Sequence, residues 1–167
     1  HLVKLGLRSD ANIIVTTSSA RDTHQIACLI GFGATAVYPT LAYQTILDLT
    51  HRNELKGDAH ENCSRYRKGV NKGLLKIISK MGISTISSYR GSQLFEIVGL
   101  DEDVVNLCFT NTASRVKGKT LQNLDYELRS LNEYARSNLA DINVGGLLKY
   151  IHGGEYHTYN PEIVKKL

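Results

Sequence analysis

The residue types best suited to hold a ligand are concentrated in one short stretch, Ser87-Ser-Tyr-Arg-Gly-Ser92. It overlaps the end of an alternating, β-branched run at residues 83–87, which we predict to be a buried strand. Ligands of α/β proteins collect at the carboxyl ends of strands, and hydroxyl groups, an always-charged Arg90 and a following helix N-terminus could hold an anion there. The alternative, favoured by composition alone, is that Ser88 or Ser92 caps the helix while Arg90 pairs with a carboxylate.

A second polar strand end lies near the start of the chain. Thr16 and Thr17 close a short apolar run at residues 11–17, which we predict to be another buried strand. The carboxyl ends of parallel strands share one edge of a sheet. We therefore expect Thr16, Thr17, Ser87, Ser88 and Arg90 to cluster at that edge.

Two glycine motifs look like nucleotide-binding loops but stand in the wrong context. Gly31-Phe32-Gly33 follows a predicted helix and precedes a predicted strand, whereas a dinucleotide fingerprint follows a strand and opens a helix. Gly118-Lys119-Thr120 resembles the end of a P-loop, but Ala113 occupies the position of that motif's first glycine. We predict neither a dinucleotide site nor an ATP site.

The remaining reactive residue types show no catalytic or metal-binding spacing. The six histidines form no pair at i, i+4, the three cysteines lie far apart, and no Gly-x-Ser-x-Gly elbow frames a serine. We therefore predict no catalytic residue, no cofactor-binding residue and no metal ligand in this chain. The odd, widely spaced cysteines indicate a reducing compartment such as the cytoplasm.

Composition argues against two classes of partner. The formal net charge of +4 over 167 residues is mild and scattered, unlike the basic stripe of a nucleic-acid surface. No apolar run approaches the roughly 20 residues that cross a bilayer. The absence of an initiator Met before His1 and the helix-like start near Leu167 suggest a piece of a longer protein.

Periodicity predicts an α/β chain. Strands are predicted at residues 11–17, 36–38 and 83–87, helices at 20–30, 39–50, 63–81, 91–98, 101–109 and 121–135, a polar loop at 110–119, and an irregular segment at 141–159. Alternating strands and helices favour a partial parallel sheet with flanking helices. Because a complete (β/α)8 barrel needs about 250 residues, a reduced or incomplete TIM-barrel-like architecture is the most that this chain could form.

Residues 72–100, which include Met81-Gly-Ile-Ser-Thr-Ile-Ser-Ser-Tyr-Arg-Gly-Ser-Gln-Leu-Phe-Glu96, closely resemble the large subunit of glutamate synthase. Further similar segments extend the resemblance over nearly the whole chain: Gly6-Leu-Arg8, Ala27-Cys-Leu-Ile-Gly-Phe-Gly-Ala34, Ala36-Val-Tyr-Pro39, Phe109-Thr-Asn-Thr-Ala-Ser-Arg115 and Gly153-Gly-Glu-Tyr-His157. The resemblance places residues 1–140 in the later part of that family's central domain. It makes residues 141–167 a linker that leads into the FMN-binding domain.

The resemblance implies an oxidoreductase that turns glutamine and 2-oxoglutarate into two glutamates. An amidotransferase domain with a cysteine nucleophile releases ammonia, and a tunnel carries it to an FMN-linked barrel with a nearby iron–sulfur cluster. None of the family's catalytic, FMN or iron–sulfur residues matches a position in this chain. The resemblance thus implies an inactive, structural segment whose partners are the amidotransferase and FMN domains of the same parent chain.

Two other functions remain open at this stage. One is a free-standing α/β domain that binds a small anionic ligand at the loop from Ser87 to Arg90. The other is a binding module that acts through surface charge, which salt-sensitive nucleic-acid binding would reveal.

Overall fold

The computed structural model describes residues 1–137, 150–154 and 156–167. The elements in chain order are β1 (Ile14–Thr17), α1 (Thr23–Gly31), β2 (Ala36–Pro39), α2 (Thr40–His51), α3 (Ala59–Lys80), α4 (Ile86–Tyr89), β3 (Glu96–Leu100), α5 (Glu102–Cys108), β4 (Ala113–Lys119), α6 (Leu121–Arg136) and α7 (Pro161–Val164). The predicted α/β class, with a partial parallel sheet and flanking helices, is confirmed. The elements of the described residues form no closed barrel.

Strands β1 and β2 form a parallel pair joined by α1, as predicted. Ile14 lies opposite Ala36, and Thr17 lies opposite Pro39. Helix α1 starts with a capping box in which Asp22 accepts from the Gln25 N–H and the Gln25 side chain accepts from the Asp22 N–H, so the helix begins at Thr23 and not at the predicted residue 20.

The core lies between this sheet and helices α1 and α3. Val70, Leu74, Ile77 and Ile78 recur at helical spacing on α3 and face α1, which gives one continuous apolar stripe. Tyr89 is fully buried in the same cluster. Burying each large aliphatic side chain contributes about 1.5–3 kcal/mol, so this cluster dominates the stability of the sheet and its helices.

Close backbone approach at two glycines lets these elements pack tightly. A Cβ on Gly73 would lie 2.6 Å from the Thr23 side chain, where α3 crosses α1. A Cβ on Gly31 would lie within the ring of Phe95, and the Gly31 carbonyl accepts a 2.7 Å hydrogen bond from the Gly91 N–H. These contacts fix the segment after α4 against the end of α1.

The third predicted strand, at residues 83–87, is wrong. Residues 86–89 instead form the short helix α4, because the Thr85 side chain accepts from the Ser88 N–H and caps it. Short hydroxyl side chains that bond to nearby backbone compete with sheet pairing. This stretch carries two of them on each side of Ile86.

The predicted helix at residues 91–98 and the predicted loop at 110–119 are also wrong. Gly91 and Gln93 have positive φ angles of 69° and 54°, which a helix cannot contain, and the β-branched Ile97 and Val98 continue as β3. Strand β4 pairs with β3 in a second two-stranded sheet. Ile97, Val104 and Val105 are the buried side chains of this part of the chain.

Contacts divide the chain into one unit at His1–Gly118 and another at Lys119–Leu167. In the second unit, α6 confirms the predicted helix at residues 121–135 and starts with a capping box between Thr120 and Asn123. Residues 141–149 and 155 of the irregular segment predicted at 141–159 lie outside the described residues, and the domain boundary at residue 140 stays a prediction. In the described part of the chain, no helix combines the length and apolarity that a bilayer crossing requires.

Candidate functional site

Polar side chains converge at the amino edge of the parallel sheet, around Thr35. The Thr35 hydroxyl accepts hydrogen bonds from the Arg90 guanidinium at 3.2 Å and from the Ile13 N–H at 3.3 Å, and it donates to Asn12 Oδ1 at 3.2 Å. Thr35 immediately precedes β2. Arg90 therefore reaches the start of the strands.

A second arginine reaches the same edge from the amino-terminal segment. The Arg8 guanidinium donates to the carbonyl of Ala11 at 2.9 Å and to the carbonyl of Gly33 at 2.8 Å. Gly33 has a φ of +111°, in the region that favours glycine, and forms the turn between α1 and β2. Arg8 thus ties the start of the chain to this turn.

The two arginines border one open cavity of about 490 Å³. Phe32 and Phe95 form its apolar wall, stacked with ring centroids 5.5 Å apart. Thr110 and Thr112 add hydroxyl groups from the loop before β4. The cavity therefore combines two cations, an aromatic surface and neutral hydrogen-bonding groups.

The carboxyl edge of the sheet is organised differently. The Thr40 hydroxyl donates to the Thr17 carbonyl at 3.1 Å and lies 3.2 Å from the Ser18 hydroxyl. The Thr17 hydroxyl accepts from the Ser19 N–H at 3.1 Å. These bonds tie the β1–α1 loop to the start of α2, so the polar groups at this edge largely satisfy one another.

The structure does not gather the five residues predicted to form one cluster. Thr16 and Thr17 lie in β1, toward its carboxyl end, while Arg90 bonds at the amino edge beside Thr35. Ser87 and Ser88 lie in α4, where both hydroxyls contact Thr85 Oγ1, at 3.2 and 2.8 Å. The expectation of a single carboxyl-edge cluster depended on a strand at residues 83–87, and it fails because that segment is a capped helical turn.

Sequence reasoning missed the partners of Arg90 at the cavity. In the sequence, Arg8 stands out only as part of a segment that resembles the family, and Phe32 stands out only as the middle residue of a glycine motif. The available signal was that Phe32 lies between Gly31 and Gly33, which permit close backbone approach, whereas no neighbouring residue in the sequence marks Phe95. Their meeting depends on the α1–β2 turn, which sequence spacing alone does not orient.

One cysteine has a polar neighbour on its own helix. Cys28 Sγ lies 3.7 Å from His24 Nε2, one turn away on α1. Burial raises the pKa of the Cys28 thiol above its ordinary value of 9.0, and the Asp22 carboxylate adds to the rise. A raised pKa disfavours the thiolate, so this thiol is a poor nucleophile at neutral pH.

The donor set for an iron–sulfur cluster does not fit this chain. Cys28, Cys63 and Cys108 lie on three separate helices and form no disulfide. No three His, Cys, Asp or Glu side chains come together anywhere in the described ranges. Cluster ligation needs several thiolates at one point, so we derive no chemistry through such a group here.

Comparison with known proteins adds the family. The model of the glutamate synthase central domain matches residues 1–101. Over its whole length, the chain is 41% identical to a ferredoxin-dependent glutamate synthase of Pyropia yezoensis, 39% to the glutamate synthase [NADPH] large chain of Bacillus subtilis and 40% to a chloroplastic/mitochondrial ferredoxin-dependent glutamate synthase of Arabidopsis thaliana. It spans only 11–12% of the length of these relatives. Because this family model matches more than half of the chain, the chain belongs to the glutamate synthase central domain family.

Proposed function

We propose that this chain is a structural segment of a glutamate synthase large chain, an enzyme that makes two glutamates from glutamine and 2-oxoglutarate. Its role is to connect the amidotransferase and FMN domains and to help wall the path of ammonia between them. Catalysis, FMN and the iron–sulfur cluster belong to other parts of the parent protein. The family match and relatives that are glutamate synthases by name support this proposal.

The observation that carries the structural role is an uncovered leucine stripe on α6. Leu121, Leu124, Leu128 and Leu131 recur at intervals of three and four residues along one face of this helix. None of the residues of α6 is buried, and Leu128 and Leu131 are 68% and 64% exposed. Exposed apolar surface of this kind marks an interaction site.

The occupant that we assign to the leucine stripe is another helix of the same parent chain. Apolar residues spaced at three and four match the seam of two packed helices. The chain spans 11–12% of its relatives' length, so most of the parent protein lies outside it and can supply the partner. An apolar interface also suits an ammonia path, since ammonia in contact with water near neutral pH becomes ammonium, which is a poor nucleophile.

The test uses a full-length glutamate synthase large chain that contains this segment. Leu128→Glu places a charge in the leucine stripe, and Gln122→Glu places the same charge on the opposite side of α6 as a matched control. We expect Leu128→Glu to keep glutaminase activity, and glutamate synthesis from added ammonia, within about twofold, but to release free ammonia when glutamine is the donor. Full coupling in Leu128→Glu, or equal leakage from Gln122→Glu, would refute the walling role.

We further propose that the parent protein works in a reducing compartment, the cytoplasm or a plastid. The three cysteines of the described residues are all free, as such a compartment maintains them. Recovery of the protein in a secreted or periplasmic fraction would contradict this assignment.

A further inference from the structure

The cavity bordered by Arg8 and Arg90 is the one feature of the first unit that combines charge, shape and an apolar wall. Its lining includes both arginines and no acidic residue among those that the structure describes. Neither guanidinium forms an ion pair within the described residues. Two neighbouring cations without a carboxylate leave an excess of positive charge at this point.

Hydrogen-bonding capacity remains on both arginines. A guanidinium carries about five N–H donors in a planar fork that matches a carboxylate. Arg90 uses one donor on Thr35, and Arg8 uses two on backbone carbonyls. These bonds hold both guanidinium groups at the cavity and leave other N–H groups free to bind a ligand.

The aromatic wall selects for more than charge. Phe32 lines the cavity and is 44% exposed, so part of its ring is accessible to a ligand. Phe109 packs against Phe32 edge to face, with a centroid distance of 5.2 Å. A volume of about 490 Å³ falls within the range of about 300–1,000 Å³ that small-molecule sites occupy.

Backbone conformations around the cavity are unusual. Gln93, which lines the cavity, has a φ of 54°, and Asn111, between Thr110 and Thr112, has a φ of 65°. Asparagine adopts this left-handed conformation readily, whereas at Gln93 it costs free energy, and such strain is often found where a binding site has to be shaped. Both loops that carry these residues contribute to the lining.

We propose that this cavity binds a small organic carboxylate. The carboxylate meets the guanidinium groups of Arg8 and Arg90, and the apolar body of the ligand packs on Phe32 and Phe95. This site lies at the amino edge of the sheet and is independent of the leucine stripe on α6 and of the structural role proposed above.

The experiment titrates the 167-residue chain with four probes and follows amide resonances by NMR. The probes are benzoate, acetate, benzamide and inorganic phosphate. We expect benzoate to shift the Gly31, Gly33 and Gly91 resonances and to bind at least about tenfold more tightly than benzamide, its neutral analogue, and than acetate, which lacks the ring. Equal binding of benzoate and benzamide would overturn the role of the arginines, and phosphate binding as tightly as benzoate would overturn the role of the aromatic wall.

Variants separate the parts of the site. Arg90→Gln should weaken benzoate binding at least about tenfold, while Arg52→Gln, which removes an exposed arginine directly after α2, should leave it unchanged. Phe32→Leu should reduce the preference for benzoate over acetate without changing acetate binding. Since Arg8 also ties backbone segments together, each variant is first compared with the parent chain by thermal unfolding, and undiminished benzoate affinity in a folded Arg90→Gln would refute the proposal.

Discussion

Replacing Tyr89 with Phe tests the packing of the core most directly. Tyr89 is fully buried, and its hydroxyl has no hydrogen-bond partner among the described residues. An unpaired buried hydroxyl costs about 1–3 kcal/mol in protein mutational data, whereas the ring itself contributes favourable packing. Tyr89→Phe keeps the ring, which lies edge to face with Phe95 at 6.3 Å, and removes only the unpaired group.

We expect Tyr89→Phe to raise the free energy of unfolding by about 1 kcal/mol, the lower end of that penalty, since a small void replaces the oxygen. With a urea dependence of about 2 kcal/mol per molar, the midpoint would rise by about 0.5 M. The matched control is Tyr66→Phe, because the Tyr66 hydroxyl donates to the Arg21 carbonyl at 2.8 Å. Losing that bond should lower the free energy of unfolding by about 1 kcal/mol.

The pH dependence gives an independent check of Tyr89→Phe. Burial raises the pKa of Tyr89 above its ordinary value of 10.0, and Cys28 adds to the rise. The unfolded chain therefore loses this proton first, so the stability due to Tyr89 is complete below pH 10 and is lost as the pH rises toward the folded pKa. The advantage of the Phe variant should widen above pH 10, and a Phe variant less stable than wild type by about 1 kcal/mol or more would show that the hydroxyl has a partner.

Three further predictions concern packing and thiol reactivity. Gly31→Ala should destabilise the chain by about 1–3 kcal/mol, because the new methyl group meets the Phe95 ring. The control Gly69→Ala lies on an open face of α3 and should stabilise the chain by about 0.5–1 kcal/mol. Urea unfolding measures both free energies, and equal effects would contradict the Phe95 contact. Asn62→Ala should lower the free energy of unfolding by about 1–2 kcal/mol, since this buried side chain donates to Thr50 at 3.1 Å, and an unchanged midpoint would mean that water replaces the bond. Cys28 should react with a disulfide reagent at pH 8 at least about tenfold more slowly than the exposed Cys108, because burial raises the pKa of the Cys28 thiol. Similar reaction rates at the two cysteines would show that α1 opens readily.

The sequence predicts those elements whose local pattern agrees with their packing. The apolar stripe of α3 and the position of β1 are strong local signals, and the structure confirms both. The expected burial of β1 is wrong, because its residues are exposed or half-buried and Ile14 is 72% exposed. In these elements, the local sequence preference and the tertiary packing favour the same secondary structure.

The errors fall where two local signals compete. Residues 83–87 are β-branched and alternating, which favours a strand, but the Thr85 side chain instead caps a helical turn. Residues 91–98 carry helix-like apolar spacing, but positive φ angles at Gly91 and Gln93 prevent a helix. The same errors made the predicted position of Arg90 wrong, because that position depends on the direction in which the chain leaves α4.

The hydrogen bond from the Gly91 N–H to the Gly31 carbonyl joins segments that are distant along the chain. Closing so long a loop is entropically unfavourable, so this bond is expected to form late in folding, after the local helices. Its amide proton should exchange with solvent only when the segment after α4 detaches from α1. Gly91 is therefore a natural reporter of this docking event, distinct from the opening of either helix.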